Sequence, residues 1–226
     1  MAIQNYYILT SLPVLEEGGI PAITPSELRD KVEMCDGPVK LIEAIILGDD
    51  LIKMQAVLSE EIEDADFTIL TSAQVKGEEP MPDFLLTSDE PARKAPVDSL
   101  WENYFKHTAK TAVNCGSNFL KKWVNFEVSL RNALVIERAK KLGFEAFDFL
   151  ASQELSDDEY DFDSLVNDWS AASNPLSGLE VLDRARMQWV IENDRWFSFS
   201  DDELAAYTWK LLLINRRCRL TQAESN

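Results

Sequence analysis

A chain of 226 residues, 46% hydrophobic and 27% charged, has the make-up of an ordinary globular protein, long enough for one large domain or two small ones. At this size it should bury roughly 70% of the surface its unfolded form exposes, so it needs no disulfide or metal staple. With 22 basic against 40 acidic residues its formal net charge is -18, a field that repels phosphate backbones and anionic lipid and argues against nucleic-acid partners.

The acidic excess serves solubility, or draws a basic partner by opposite fields. Cys35, Cys115 and Cys218 are odd in number, widely spaced and without a CxxC, the pattern of free thiols in a reducing cytoplasm. The opening MAIQNYYILTSLP lacks the basic region and cleavage site of a signal peptide. No apolar run approaches the roughly 18 residues of a membrane span. The expected location is therefore cytoplasmic, with no direct membrane insertion.

In chain order, YYILTSLPVL is β-branched and aromatic and is interrupted by Pro13, which predicts a short extended segment. TPSEL then starts a helix: Thr24 is a candidate N-cap, Pro25 fits the first helical position and Glu27 closes a capping box. Leu28, Val32 and Cys35 follow at helical spacing until DGP stops the run. Val39, Leu41, Ile42, Ile45 and Ile46 mark a second, buried helix. Gly48-Asp49-Asp50 is expected to break it before a short amphipathic run through Leu51, Met54 and Leu58. From residue 72 to 97, Pro80, Pro82, Pro91 and Pro96 leave no helical period, so this stretch reads as a loop or linker.

Asp98 then opens a helix with Trp101, Tyr104, Phe105 and Thr108 on one face. The next helix has Ser117 as its candidate N-cap and Gly143 where a C-cap glycine belongs, with Arg138, Lys140 and Lys141 in the dipole-favoured last turns. Its apolar residues cover more than one stripe, which marks it as the core helix. Phe144 to Leu150 suggests one short helix. SDDE occurs twice, at Ser156–Glu159 and Ser200–Glu203, each in capping-box form. The first should open a helix through Leu165 and Trp169, the second the last helix, through Leu204, Tyr207, Leu211 and Ile214. Between them Leu179, Leu182, Ala185, Arg186, Trp189, Val190 and Asn193 share a helical face. The expectation is an all-α, multi-helix bundle of about eight helices. Its parts would be an N-terminal helical part at 1–71, the linker at 72–97 and a main bundle at 98–226, unless 1–71 is continuous with that bundle.

Chemistry is scarce. His107 is the only histidine, whereas metal sites and nucleophile–base pairs draw on several His or Cys residues; it reads as an ordinary surface or packing residue. No GxxxxGK[ST] or GxGxxG is present. DDEYDFD, Asp157 to Asp163, lacks the central glycine and terminal glutamate of a calcium loop. No catalytic, cofactor-binding or metal-ligating residue is assigned, no cofactor is expected, and the chain is not expected to be an enzyme. The six tryptophans read as core or interface anchors. Trp196, Phe197 and Phe199, just before the second SDDE, are the candidate interface patch.

The exception is NFEVSLRNALVIERAKKLG, Asn125 to Gly143, where Glu127, Arg131 and Asn132 stand inside an apolar helix. Glu four residues before Arg is the favourable orientation for an intrahelical ion pair. A structural brace is the expected role, with Arg131 or Asn132 also able to hold neighbouring backbone. A partner contact, or a cleft with convergent polar groups and perturbed carboxylates, is the competing reading.

Several segments together carry a resemblance: YYILTSLPVL, LIEAIILGDDL, NFLKKWVNFEVSLRNALVIERAKKLG and LAAYTWKLLLINR. They resemble a bacterial family encoded alongside V-type (A/V-type) ATPase subunits. More distantly they are similar to the central-stalk subunit called C in prokaryotes and d in eukaryotes, an all-helical socket between the rotating shaft and the membrane ring. Glu127, Leu130, Arg131 and Asn132 are the most specific match, because a Glu-x-x-x-Arg-Asn pattern recurs in that subunit's helical units. The last helix carries Asn215, Arg216 and Arg217 without a counterpart of Glu127, and the chain is shorter than a full socket subunit with three such units. The resemblance implies a non-catalytic subunit or accessory protein working by shape. Its partners would be V-type ATPase subunits that carry proton or sodium transport, at the cytoplasmic face of the membrane. A free-standing acidic helical adaptor is the alternative, and an enzyme with a cleft near Glu127 and Arg131 a further one.

Overall fold

The computed structural model describes residues 2–16, 18–86, 96–157 and 159–224. Among these residues there are ten α-helices, two 3₁₀ turns and no strand, so the protein is all-α. No helix of the described residues is long and apolar enough to cross a membrane. The chain packs as two compact units interleaved in sequence, Met1–Met81 with Cys115–Phe119 and Val190–Asn226, and Pro82–Asn114 with Leu120–Trp189. This division differs from one at 72–97, because the C-terminal helix completes the core of the N-terminal helices.

The first unit holds α1 (Ala2–Ser11), α2 (Pro25–Met34), α3 (Val39–Leu58), the single turn α4 (Ser72–Val75) and α10 (Asp201–Glu224). Its core joins Ile8, Leu28, Val32, Ile42, Ile46, Leu204 and Leu211. The opening segment is helical rather than extended. A helix places Ile8 in that core and lets Leu9 and Leu12 pack beside it, so burial overrides the β preference of the Tyr-Tyr-Ile run. Pro13 lies just past the helix end, where the restriction it puts on its predecessor is harmless. α2 starts as its sequence predicts: Thr24 Oγ1 accepts from Glu27 N at 3.2 Å and Thr24 N donates to Glu27 at 2.8 Å. Gly37 follows because a Cβ there would lie 2.8 Å from Ile8 and 2.9 Å from Val32.

α3 runs unbroken through Gly48-Asp49-Asp50, and all three residues are buried. A glycine inside a helix costs about 1 kcal/mol relative to alanine. Burial of Ile46, Leu47 and Leu51 on either side outweighs that. The two aspartates do not turn onto their own backbone, because distant groups claim them. Arg219 donates two hydrogen bonds to Asp49, at 2.7 and 3.2 Å, and Lys53 pairs with it at 2.9 Å. Burial alone would raise the Asp49 carboxyl, but Arg219 and Lys53 outweigh it and hold it below the usual carboxylate range. Asp50, fully buried, accepts from the amides of Thr68, Ile69 and Leu70 at 3.0, 2.6 and 3.0 Å. Burial pushes its carboxyl above the ordinary value, against the pull of those amides and of Lys53.

The second unit holds the single turn α5 (Asp83–Leu86), most of α6 (Pro96–Cys115) and of α7 (Asn118–Leu142), and the 3₁₀ turns Ala146–Phe149 and Gln153–Leu155. It also holds α8 (Asp163–Ser170) and most of α9 (Pro175–Asn193). Part of the proline-containing stretch thus forms single turns, and its residues 87–95, with Pro91, lie outside the described residues. Trp123, Phe126, Tyr160, Phe162 and Trp189 form an aromatic cluster, with Phe126 stacked on Trp189 at 5.2 Å between centroids. α7 ends as expected: Gly143 takes φ +71, and Phe144 N donates to Ala139 O at 2.9 Å, closing a Schellman turn. The helix expected after it is only a 3₁₀ turn.

The first SDDE does not open a helix; α8 starts at Asp163 instead, and Asp158 lies outside the described residues. Ser129 of α7 takes the place of a cap. Its hydroxyl accepts from Asp157 N at 2.7 Å and lies 3.1 Å from Ser156 Oγ, so this pair is tied to α7. Asp161 then accepts from Asp163 N at 2.9 Å, an Asx turn that begins α8. The second SDDE does open α10. Ser200 Oγ accepts from Glu203 N, but the Glu203 carboxylate accepts from Phe197 N and Phe199 N, at 3.0 and 2.7 Å.

The aspartate inside α3 carries the first test. Asp50→Ala strands three amide donors, one buried and two half-buried, and is expected to cost about 3–5 kcal/mol in urea denaturation. An unchanged midpoint would show that the 68–70 segment does not depend on it.

Candidate functional site

Residues 123–132 of α7 are buried on almost every side, whereas Ile136 and Leu142 beyond them are 50% and 67% exposed. The broad apolar face therefore describes only the first half of the helix. Glu127 sits in that buried half and is 6% exposed. A lone carboxylate there would lose several kcal/mol of hydration. Arg186 of α9 meets it side-on, Nε donating to Oε2 and Nη2 to Oε1, both at 2.8 Å. Arg131, one turn along α7, donates through Nε to Oε1 at 3.2 Å. Arg186 also bonds Asp183 at 2.9 Å, so two carboxylates and two guanidiniums balance in charge. Burial alone would raise the Glu127 carboxyl, but Arg186 first and Arg131 second outweigh it and hold it below the usual carboxylate range.

Arg131 is less enclosed, with its side chain 31% exposed. Its guanidinium lies over the Trp101 ring of α6 at 3.9 Å, a cation–π contact that adds α6 to the same brace. Asn132 does something separate. Its side chain donates to Ala151 O and accepts from Ala151 N, both at 3.0 Å, and so holds the backbone between the two 3₁₀ turns. The next residue, Ser152, takes φ +43.

Arg186 is the member that sequence reasoning did not assign to this site. Its signal was present, since an arginine stood on the apolar face between Leu182 and Trp189. Nothing in local spacing says which carboxylate it meets, 59 residues away.

A groove of about 600 Å³ in this unit has Ser129, Asn132, Asp157 and Tyr160 in its wall, while Glu127 and Arg131 do not line it. Its polar groups are largely engaged in the turns already described. His107 is half-buried and stacks on Phe84 with centroids 3.8 Å apart; burial, and Lys110 after it, lower its pKa. No group of three His, Cys, Asp or Glu among the described residues could hold a metal ion.

The aromatic patch lies in the first unit. Trp196 and Phe197 are 69% and 72% exposed, while Phe199 is half-buried beside Tyr6, with centroids 5.0 Å apart. Phe197 and Phe199 have φ +59 and +49, a left-handed backbone that phenylalanine rarely adopts.

Two measurements probe the brace. Glu127→Ala and Arg186→Ala should each cost about 3–5 kcal/mol in denaturant unfolding, because each leaves a buried charge without its main partner. Arg131→Ala should cost about 1–2 kcal/mol, since its side chain is 31% exposed, it supplies only one of the bonds to Glu127, and Arg186 remains to hold that carboxylate. Equal losses at all three would contradict this geometry. The second measurement is pH dependence. The folded Glu127 pKa lies below its unfolded value of about 4.3, so its stabilisation is present above that pH and is lost as pH falls through the folded pKa. Glu127→Gln should flatten the acid limb of stability against pH, and an unchanged limb would show that Glu127 titrates alike in both states.

No curated protein and no solved structure matches the chain. A family described as "Protein of unknown function (DUF2764)" matches residues 3–225. The match spans nearly the whole sequence, and the chain belongs to that family.

Proposed function

We propose that the protein is a non-catalytic subunit or accessory protein of a V-type ATPase that works through shape and helix packing. The observation that carries this reading is the state of Glu127. The most specific point of resemblance to the central-stalk socket subunit is a carboxylate whose two oxygens are taken up by Arg186 and Arg131 inside the helical core. An enzyme built on Glu127 would need that carboxylate to reach a substrate. A mechanical part needs it to keep helices in register, which this bonding does. The segment resemblance supplies the ATPase, and the charge of -18 favours a protein partner over anionic lipid.

Affinity capture of the tagged protein from its native organism in mild detergent tests the proposal. ATPase subunits should come with it. Constant stoichiometry in the intact complex would mark a rotor subunit, and presence on subassemblies alone an assembly factor. Capture without any ATPase subunit would refute the reading and leave the free-standing adaptor.

A further inference from the structure

His107, the only histidine of the chain, lies where the single-turn helix α5 meets α6. A helix of four residues does not hold itself together in water and depends on what it packs against. Leu85 of α5 is buried, and the Asn103 side chain of α6 donates to Leu85 O at 2.9 Å. The third attachment is the Phe84 ring, which lies flat on the His107 imidazole with centroids 3.8 Å apart and planes 15° apart. Asn103 and His107 stand one helical turn apart, so one face of α6 carries both contacts.

The surroundings of His107 favour the neutral ring. It is half-buried, and neither ring nitrogen makes a hydrogen bond or ion pair among the described residues. In a chain with 40 acidic residues, its one histidine is thus without a carboxylate partner there. Of the nearest charges on α6, Lys106 pairs with Glu102 and Glu154 at 3.6 and 3.9 Å, and Lys110 stands one turn beyond the ring. Asp83, the one charge of α5, does not pair with the imidazole. A proton on the ring would be partly dehydrated and repelled by Lys110, and the two effects, burial first, push its pKa below the ordinary histidine value. The cation–π attraction that an imidazolium would gain over Phe84 opposes them and is the smaller effect here.

We propose that His107 is an acid-sensitive clip: its neutral ring seats Phe84 and keeps α5 on α6, and its protonation turns the ring to water and releases α5. The folded histidine binds its proton less readily than the unfolded one. Its contribution is therefore present above the unfolded value of about 6.5 and is lost as pH falls through the lower folded value. Release uncovers Leu85, now 2% exposed, together with the Phe84 face that the imidazole covers. The clip goes beyond the ATPase reading, and neither depends on the other.

Hydrogen exchange of the full chain tests the clip at the Leu85 amide, which donates to Pro82 O at 2.8 Å. Its rate, divided into that of an unfolded chain at the same pH, reports local opening free of the intrinsic pH dependence of exchange. Between about pH 7.5 and about pH 5.5 this protection should fall roughly threefold or more, while amides at the centre of α7 keep theirs. His107→Phe keeps a ring on Phe84 that cannot titrate, so its Leu85 protection should be high and level at both pH values. His107→Arg is charged throughout and should be poorly protected at both. Asp83→Asn should behave as the parent. The imidazole is the only one in the chain, so its proton NMR titration is unambiguous and should fall below about 6.5. The proposal is overturned if Leu85 protection in the parent is the same at both pH values, or if His107→Phe loses it as the parent does. It is equally overturned if the imidazole titrates at or above its ordinary value, which would mean that Phe84 stabilises the charged ring.

Discussion

The second unit depends on how one buried negative charge is neutralised. Glu127 is placed by its own helix, in a stretch enclosed on almost every side, and cannot stay there ionised without donors. Arg186 supplies two bonds from α9 and Arg131 one from α7, while Trp101 of α6 supports Arg131 from below. Three helices are thereby held at one point. The net gain over an apolar core of equal volume is small, because desolvating the ions nearly cancels their attraction. What the network adds is register. Sliding α9 by one residue past α7 would separate Arg186 from Glu127 and leave both charges buried, whereas sliding apolar side chains would change little. Around this point the aromatic residues of α7, α9 and the 156–162 loop provide the bulk of the burial.

The first unit applies the same constraint to α3. Asp49 meets Arg219 from α10, and Asp50 gathers the amides of Thr68, Ile69 and Leu70. Buried carboxylates here serve as attachment points for segments far along the chain. That explains how a protein with no disulfide, and no metal cluster among its described residues, fastens long helices to irregular connections. Glu127, Asp49 and Asp50 are each matched to donors fixed by the fold.

Stiff, internally cross-tied helices suit a part that transmits force or position between partners, which is the role that the ATPase reading assigns. The groove beside Trp196 and Phe197 is of another kind, since two phenylalanines in its wall, Phe197 and Phe199, take left-handed backbone.

Local signals determined much of this protein. Helical periodicity set the all-α class, and the capping box at Thr24, the Ser200 start of α10 and the Gly143 stop each appear where short-range chemistry places them. The Glu127–Arg131 contact was equally legible, because a spacing of four on a helix brings two side chains together whatever surrounds them. Only the tertiary structure decided the rest. It made the Tyr-Tyr-Ile segment a helix, carried α3 through Gly-Asp-Asp, and diverted Ser156 and Asp157 to Ser129 instead of a cap. It also chose Arg186 for Glu127 and Arg219 for Asp49, partners 59 and 170 residues apart. The physical reason is common to all of these. Propensity and capping are worth a kcal/mol or so each and act within one turn, whereas burying an apolar face or matching an interior charge is worth several and is set by whichever distant segment arrives.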